Sequence, residues 1–216
     1  MASLGNGRVA VLCPTRDRPE PFRDMVASVR KTAMKADVLA YVDEDQREFY
    51  GVNPPGSQVV YGSRIGPVAA LNHLVEKFPD YSAYGIITDD TTLNDKDWDV
   101  WVQAAMNNFP NRLAVVSPRH NLGEHVDMPF VSRNWIDVVG WYACPETYHF
   151  CWPILTGLIG EMTAIVHAPE PGFSITHNGL PHSNTDIREK DAQSFFTYVA
   201  LKLPEVVHKL REAMYP

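Results

Sequence analysis

The chain predicts an α/β fold, and three observations carry that prediction. Strand-like and helix-like apolar periods alternate through the first half, the strands read as unbroken apolar runs, and 216 residues at 45% hydrophobic and 21% charged suffice for a full core. A strand buried on both faces loses the polar alternation of a half-exposed one, so runs such as Val9-Ala10-Val11-Leu12-Cys13 point to a sheet covered by helices.

The elements follow in order. The first strand stops at Pro14, and Phe22, Met25, Val26 and Val29 recur at helical spacing to complete a first βα unit. Val38 to Val42 forms a second strand ending in Asp43, Glu44 and Asp45; a Pro54-Pro55-Gly56 turn separates it from a brief third, Val59 to Tyr61. Pro67 suits a first helical turn, and Val68, Leu71, Leu74, Val75 and Phe78 give that helix one apolar face. A loop then leads to the pentad Ile86-Ile87-Thr88-Asp89-Asp90. Trp98, Trp101, Val102, Ala105 and Phe109 mark a further helix, and Leu113 to Val116 a further strand. Beyond Pro118 the chain is rich in Trp, Tyr, His and Pro, which predicts loops and small strands, including the apolar piece Trp135 to Val139. Phe173 to His177 alternates like a strand, and Asp191 to Met214 predicts one or two closing helices broken at Pro204.

The pentad is the most informative stretch. It ends an apolar run in two adjacent carboxylates, at the carboxyl end of a strand, where ligands gather in open α/β sheets. Two acids side by side repel each other unless a cation or backbone N–H groups neutralise them. On these residues alone two readings stand: a cation site, or a solvated turn whose Asp and Thr side chains cap the helix before Trp98. Other chemistries are disfavoured, since the first strand runs into Cys13-Pro14-Thr15-Arg16 without a glycine path for a dinucleotide, and neither a phosphate-binding P-loop nor a GxSxG elbow occurs. A net charge of -7 gives no global attraction to nucleic acid or anionic lipid. Three cysteines, odd in number and without a CxxC pair or signal peptide, favour a reducing cytoplasm, and no apolar stretch reaches the roughly 20 residues of a membrane span.

The order of motifs resembles the nucleotide-sugar-dependent glycosyltransferases of the GT-A fold, in particular the family 2-like group, from Val9 to about Gly179. Pro14-Thr15-Arg16-Asp17-Arg18 is similar to the family's opening turn beside the base, and Asp43 to the acid that meets uracil or ribose. Gly66 to Asn72 resembles the Gly-x-x-x-Ala-x-Asn start of the helix under the nucleotide. Thr88-Asp89-Asp90 with Trp98-Asp99 resembles a Gly-Asp-Asp and later Gly-Trp-Asp, and Thr176-His177-Asn178 lies where the family has a metal-completing histidine. The resemblance implies a single GT-A type, Rossmann-like domain over 1–216 with a mixed, mainly parallel sheet flanked by helices. It would divide into a nucleotide-binding half at 9–117, an acceptor-facing half at 118–190 and closing helices at 191–216.

It also implies a nucleotide-sugar donor, UDP favoured, bound by Pro14, Thr15, Arg16, Asp43, Arg64, Asn72 and Asp89. A cation, Mn²⁺ or Mg²⁺, would be held by Asp90 and His177, with Asp89 shared between metal and ribose; oxygen ligands with one imidazole suit Mn²⁺ somewhat better. Breaking the sugar–diphosphate bond builds charge on the leaving phosphate, which such a cation stabilises as a Lewis acid, while Arg64 offers a planar donor fork. An inverting transfer needs a general base, and there the chain departs from the pattern: the acid expected four residues after His149 is Pro153. His149, Glu146 or Glu161 is then the candidate base, or the transfer retains configuration, or activity is lost. Thr88 is a second departure. His177 alone also fits an ordinary core or surface histidine, and the aromatic run Trp141, Tyr142, Tyr148 and Trp152 fits either core or a sugar-stacking platform. The acceptor is open among saccharide, protein, lipid head group and modified nucleobase. Competing functions are a nucleotidyltransferase, a metal nuclease built on His177, His182 and Asn184, and a non-catalytic nucleotide-binding module.

Overall fold

The computed structural model describes residues 7–120, 126–149, 151–167, 173–179 and 187–215. Among them the first half runs β1 (Val9–Thr15), α1 (Pro19–Thr32), β2 (Ala36–Asp43), α2 (Arg47–Tyr50), β3 (Ser57–Gly62), α3 (Pro67–Lys77), β4 (Ala83–Ile86), β5 (Thr91–Leu93), α4 (Trp98–Met106) and β6 (Val115–Val116). The second runs β7 (Arg119–His120), β8 (Phe130–Ser132), α5 (Arg133–Val139), α6 (Cys151–Met162), β9 (Val166–His167), β10 (Ser174–His177), α7 (Arg188–Leu201) and α8 (Leu203–Met214).

Seven strands form the main sheet in the order β3-β2-β1-β4-β8-β6-β9. Pairings from β3 to β4 are parallel, as is β6 with β9, while β8 runs antiparallel to both neighbours. This is the mixed, mainly parallel sheet that the resemblance implies, built from the strands that the apolar runs predict. Alternate residues of each strand enter opposite layers because the side-chain period of a strand is two. Ala10, Leu12, Leu39 and Tyr41 pack toward α3, α5, α6 and α8, whereas Val9, Val11, Cys13, Val38, Ala40 and Val42 pack toward α1 and α4. A small second sheet, β5-β10-β7, extends the α1 side. No helix among the described residues is long and apolar enough to cross a membrane.

The second half is more helical than its composition predicts. Trp135 to Val139 is helix, not a small strand: Ser132 caps it by accepting the Trp135 N–H at 3.2 Å, and Gly140 closes it with φ 91°. Residues 151–162 form a three-turn helix with little polar face to reveal its period, since seven of its residues, from Trp152 to Gly160, are buried. Asp89 to Thr92 do not cap the helix at Trp98. Thr91 and Thr92 belong to β5, and the residue before α4 is Asp97, in the left-handed region at φ 59° with no side-chain cap.

Candidate active site

Strand order reverses between β1 and β4, so the loops after these two strands open beside each other and leave a crevice at the carboxyl edge. A cleft of about 350 Å³ lies there, lined by Pro14, Thr15, Arg16, Arg18, Tyr41, Asp43, Arg64, Gly66, Thr88, Asp89, Asp90, His149 and Ile187, among others. Gly66, at φ 81°, begins α3 ahead of Pro67, so the positive end of a helix opens on this cleft.

Both pentad carboxylates are buried, Asp89 at 7% and Asp90 at 2% exposure. Two like charges about 4 Å apart at an effective dielectric near 20 repel by ~4 kcal/mol, so the pair needs compensation. Arg18 supplies it: one guanidinium nitrogen lies 3.1 Å from Asp89 Oδ1 and 3.4 Å from Asp90 Oδ2. Thr15 donates to Asp89 Oδ2 at 2.6 Å and is itself in contact with the Tyr50 hydroxyl at 2.7 Å; Thr88 donates to Asp90 Oδ1 at 2.7 Å. Burial nevertheless raises the Asp89 carboxyl above its ordinary pKa, against the opposing pull of Thr15 and Arg18. Beneath them the Cys13 thiol is pushed well up by burial and then by the two carboxylates.

His177 reaches this pair through sheet register. β10 runs antiparallel to β5 with His177 opposite Thr91, and the Asn178 N–H extends the ladder to the Asp90 carbonyl at 2.8 Å. His177 Nε2 stands 3.4 Å from Asp90 Oδ1, and Nδ1 accepts the Gly179 N–H at 3.1 Å. A nitrogen that accepts a hydrogen bond carries no proton, so in the neutral ring the proton sits on Nε2, facing Asp90. Ligation of a cation through Nε2 requires the other tautomer and release of Gly179.

On the opposite wall, Arg16 donates to Asp43 at 2.7 Å and to both oxygens of Asp45 at 2.7 and 2.8 Å. Asp45 first and Asp43 second raise the Arg16 pKa, and Arg16 in return holds Asp45 low. Arg64 lines the same side, and Tyr41 is pinned by donation to the Ser63 carbonyl at 2.7 Å.

Not every expected residue joins the cleft. Asn72 is outside its lining: its Oδ1 accepts the N–H groups of Tyr142 and Ala143 at 3.0 and 3.1 Å, and its Nδ2 donates to the Ala143 carbonyl at 2.7 Å. Its amide therefore clamps the second half to α3. Glu146 lies outside the lining as well, paired with Lys202 at 2.6 Å. His149 does enter. Asp99 accepts the N–H groups of Met34 and Lys35 at 2.9 and 2.5 Å, and Trp98 donates to Thr32 at 3.2 Å, so this pair docks α4 on the end of α1. Tyr142 and Trp152 are core, packed at a tilt with ring centroids 5.2 Å apart, while Tyr148 is 38% exposed. His182 and Asn184 lie outside the described residues.

Two residues that shape the cleft gave no sequence signal of the bonds they make. Arg18 reads in sequence as one more charge of a basic turn, and Asp191 as one acid of a charged helix start. Asp191 is fully buried and accepts the N–H groups of Tyr148, His149 and Cys151 at 2.7, 3.2 and 2.9 Å, fixing the loop that carries His149.

The donor set fits a divalent cation in one respect that the structure itself displays: Asp89 and Asp90 already share a positive group. Among the described residues no three His, Cys, Asp or Glu side chains converge as a closed metal cage. Two carboxylates with water and phosphate completing the shell is the usual Mg²⁺ arrangement.

No family model matches the sequence, and no curated protein sequence matches it. Solved structures do match. TarS from S. aureus aligns with a TM-score of 0.58 at 12% identity, covering 95% of this chain and 42% of TarS, so the chain spans less than half of that protein. Glucosyl-3-phosphoglycerate synthase from Mycobacterium tuberculosis, in complex with Mg²⁺ and uridine diphosphate, aligns at TM-score 0.53 and 13% identity over 95% of this chain and 79% of that one. The same enzyme with Mn²⁺, uridine diphosphate and glucosyl-3-phosphoglycerate gives 0.54. At these identities the likeness is one of architecture, and with the strand order and the crevice at its reversal it identifies the fold as the GT-A glycosyltransferase fold.

Proposed function

We propose that the chain is a metal-dependent glycosyltransferase that moves a sugar from a nucleotide-sugar, UDP favoured, to an acceptor drawn from saccharide, protein, lipid head group or modified nucleobase. The observation that carries this reading is the buried Asp89–Asp90 pair at the strand-order reversal, sharing one cation-like group. The fold it shares with an enzyme solved with UDP and Mn²⁺ or Mg²⁺ supports the donor class. Residues 9–117 serve as the nucleotide-binding half, with Asp43, Arg16 and Thr15 toward base and ribose and Arg64 toward phosphate. Residues 118–190 face the acceptor, and 191–216 close the domain.

Asp90 and Asp89 would hold the cation, with His177 joining once its ring releases Gly179. The bound ion supplies charge stabilisation for the departing diphosphate. His149, the imidazole of the second half that lines the cleft, takes the acceptor proton; Glu146, engaged by Lys202, is the lesser candidate. Asn72 acts on the nucleotide indirectly, by fixing α3 against residues 142–143.

A calorimetric or thermal-shift screen of UDP-, GDP- and TDP-sugars with and without Mn²⁺ tests the reading. Mn²⁺-dependent binding of the UDP-sugar is expected, with release of free UDP rather than pyrophosphate on turnover. Asp90→Ala and His177→Ala should each weaken Mn²⁺-dependent UDP binding by about tenfold or more. Unchanged binding in both variants sinks the assignment.

A further inference from the structure

We propose, building on the function above, that Arg18 is an exchangeable counter-ion: its guanidinium occupies the cation position between Asp89 and Asp90 until metal and diphosphate arrive together, then turns to the diphosphate. Three observations carry this. The first is geometry. A charge-assisted N–H···O bond to a carboxylate usually measures ~2.7–2.9 Å and arginine prefers a two-pronged fork, yet Arg18 spreads one nitrogen over two carboxylates at 3.1 and 3.4 Å. Arg16, two residues away, makes the tight fork at 2.7 and 2.8 Å. At these two carboxylates Arg18 is held at longer range than Arg16 is at Asp45.

The second observation is anchorage. The backbone of Arg18 is fixed, because it precedes α1 with Pro19 in the first turn and its N–H donates to the Tyr50 hydroxyl at 3.3 Å. Exchange is therefore confined to the side chain, which is 22% exposed against 8% and 1% for the two carboxylates. The third is location. Arg18 lines the same cleft as Arg64 and the start of α3, so a displaced guanidinium stays beside any bound diphosphate.

The consequence is electrostatic. A guanidinium and a divalent ion cannot share one pair of carboxylates a few ångströms apart without strong repulsion, so metal alone must expel Arg18 into a cleft whose other lining carboxylate, Asp43, is already paired with Arg16. Metal with a diphosphate gives the guanidinium a new partner. Free Mn²⁺ should accordingly bind weakly, and Arg18 makes metal and donor load as one.

Titration of Mn²⁺ alone, followed by the loss of its free-ion electron paramagnetic resonance signal, tests the exchange. Arg18→Gln is expected to bind Mn²⁺ alone about tenfold or more tightly than the native chain, and UDP in the presence of Mn²⁺ more weakly. Its melting temperature should fall in chelator and recover on adding Mn²⁺. If Arg18→Gln leaves affinity for Mn²⁺ alone unchanged or lower while the native chain still binds Mn²⁺ with UDP, the exchange is refuted and the glycosyltransferase reading stands. If the native chain binds UDP but no protein takes up Mn²⁺, Arg18 is a permanent substitute for metal and the exchange fails. Binding of neither UDP nor Mn²⁺ by the native chain removes the donor reading and the exchange with it. A readout on the native chain guards against a misfolded variant: the Arg18 guanidinium resonance, assigned by its absence in Arg18→Lys, should move with Mg²⁺ plus UDP and stay in place with Mg²⁺ alone. A resonance unmoved by both together overturns the proposal.

Discussion

At the scale of single residues, the site is held by side chains whose partners are distant in sequence. His149 stands in the cleft because Asp191, on α7, gathers three backbone N–H groups of the loop around it. This separates two roles that mutation can resolve. His149→Ala removes the proposed base and should lower turnover by roughly 10²-fold or more while leaving Mn²⁺-dependent UDP binding within a few-fold of native. Comparable turnover in steady-state kinetics would exclude His149 as the base. Asp191→Ala acts on stability instead. It leaves three donors without their acceptor in a buried position, at a cost of about 3 kcal/mol or more, read as a lower urea midpoint, and Asp191→Asn should cost less because one oxygen remains. The pairing of Arg18 and the burial of Asp191 escaped sequence reading for the same reason. A charged residue announces its type but not its burial, and only the fold brings each to its partner.

At the scale of elements, the strands of the first half were legible because burial on both faces leaves an apolar run, and Pro19, Pro67 and Gly66 punctuate the helices that follow. Helices α5 and α6 were less legible. Five apolar-rich residues fit a strand as well as a turn of helix, and a helix buried on nearly all sides shows no period. Close packing fixes the joint between β4 and β8, where Gly85 pairs with Phe130. A Cβ at Gly85 would lie only 2.0 Å from Phe130 Cδ1, and that ring is itself fully buried against Trp98 and Phe173. The ring has nowhere to go, so Gly85→Ala should destabilise by about 1–3 kcal/mol. Thermal unfolding measures it, and a native melting temperature would show that the sheet yields locally.

At the scale of the whole molecule, two helical layers cover the sheet, burying Cys13 and Cys144 and leaving Cys151 half-buried. Cys13, Cys144 and Cys151 are all free thiols. Burial pushes Cys144 and Cys151 up to about 11, helped at Cys151 by the Asp191 carboxylate, and pushes Cys13 well above its ordinary value. A thiol with a pKa near 11 is about one part in a thousand thiolate at pH 8, so iodoacetamide should leave the native chain unmodified under conditions that give three adducts in denaturant. Rapid native labelling seen by intact mass would contradict the packing. The sign of the linkage follows: the folded pKa lies above the unfolded one, so this stability is complete below about pH 9 and is lost as pH rises from 9 toward 11. Melting temperatures between pH 8 and 11 should decline accordingly.

The sequence by itself determined the α/β class, the sheet's first strands and the acids at their carboxyl ends, because burial and turn chemistry are written in local residue types and their period. The resemblance to the GT-A glycosyltransferases added Thr15, Arg16 and Asp43 to Arg64, Asp89 and Asp90 as candidate site residues, and the structure gathers all six around one cleft. Only the tertiary structure decided the pairing of β5 with β10 that brings His177 beside Asp90, the withdrawal of Asn72 and Glu146 into other bonds, and the placing of Arg18 between the carboxylates. Register, burial and long-range charge pairing depend on which segments meet in space, and no local pattern specifies that. The adjacent acids that open as an ambiguous turn are in the folded chain a compensated pair, and the compensating charge comes from 71 residues away.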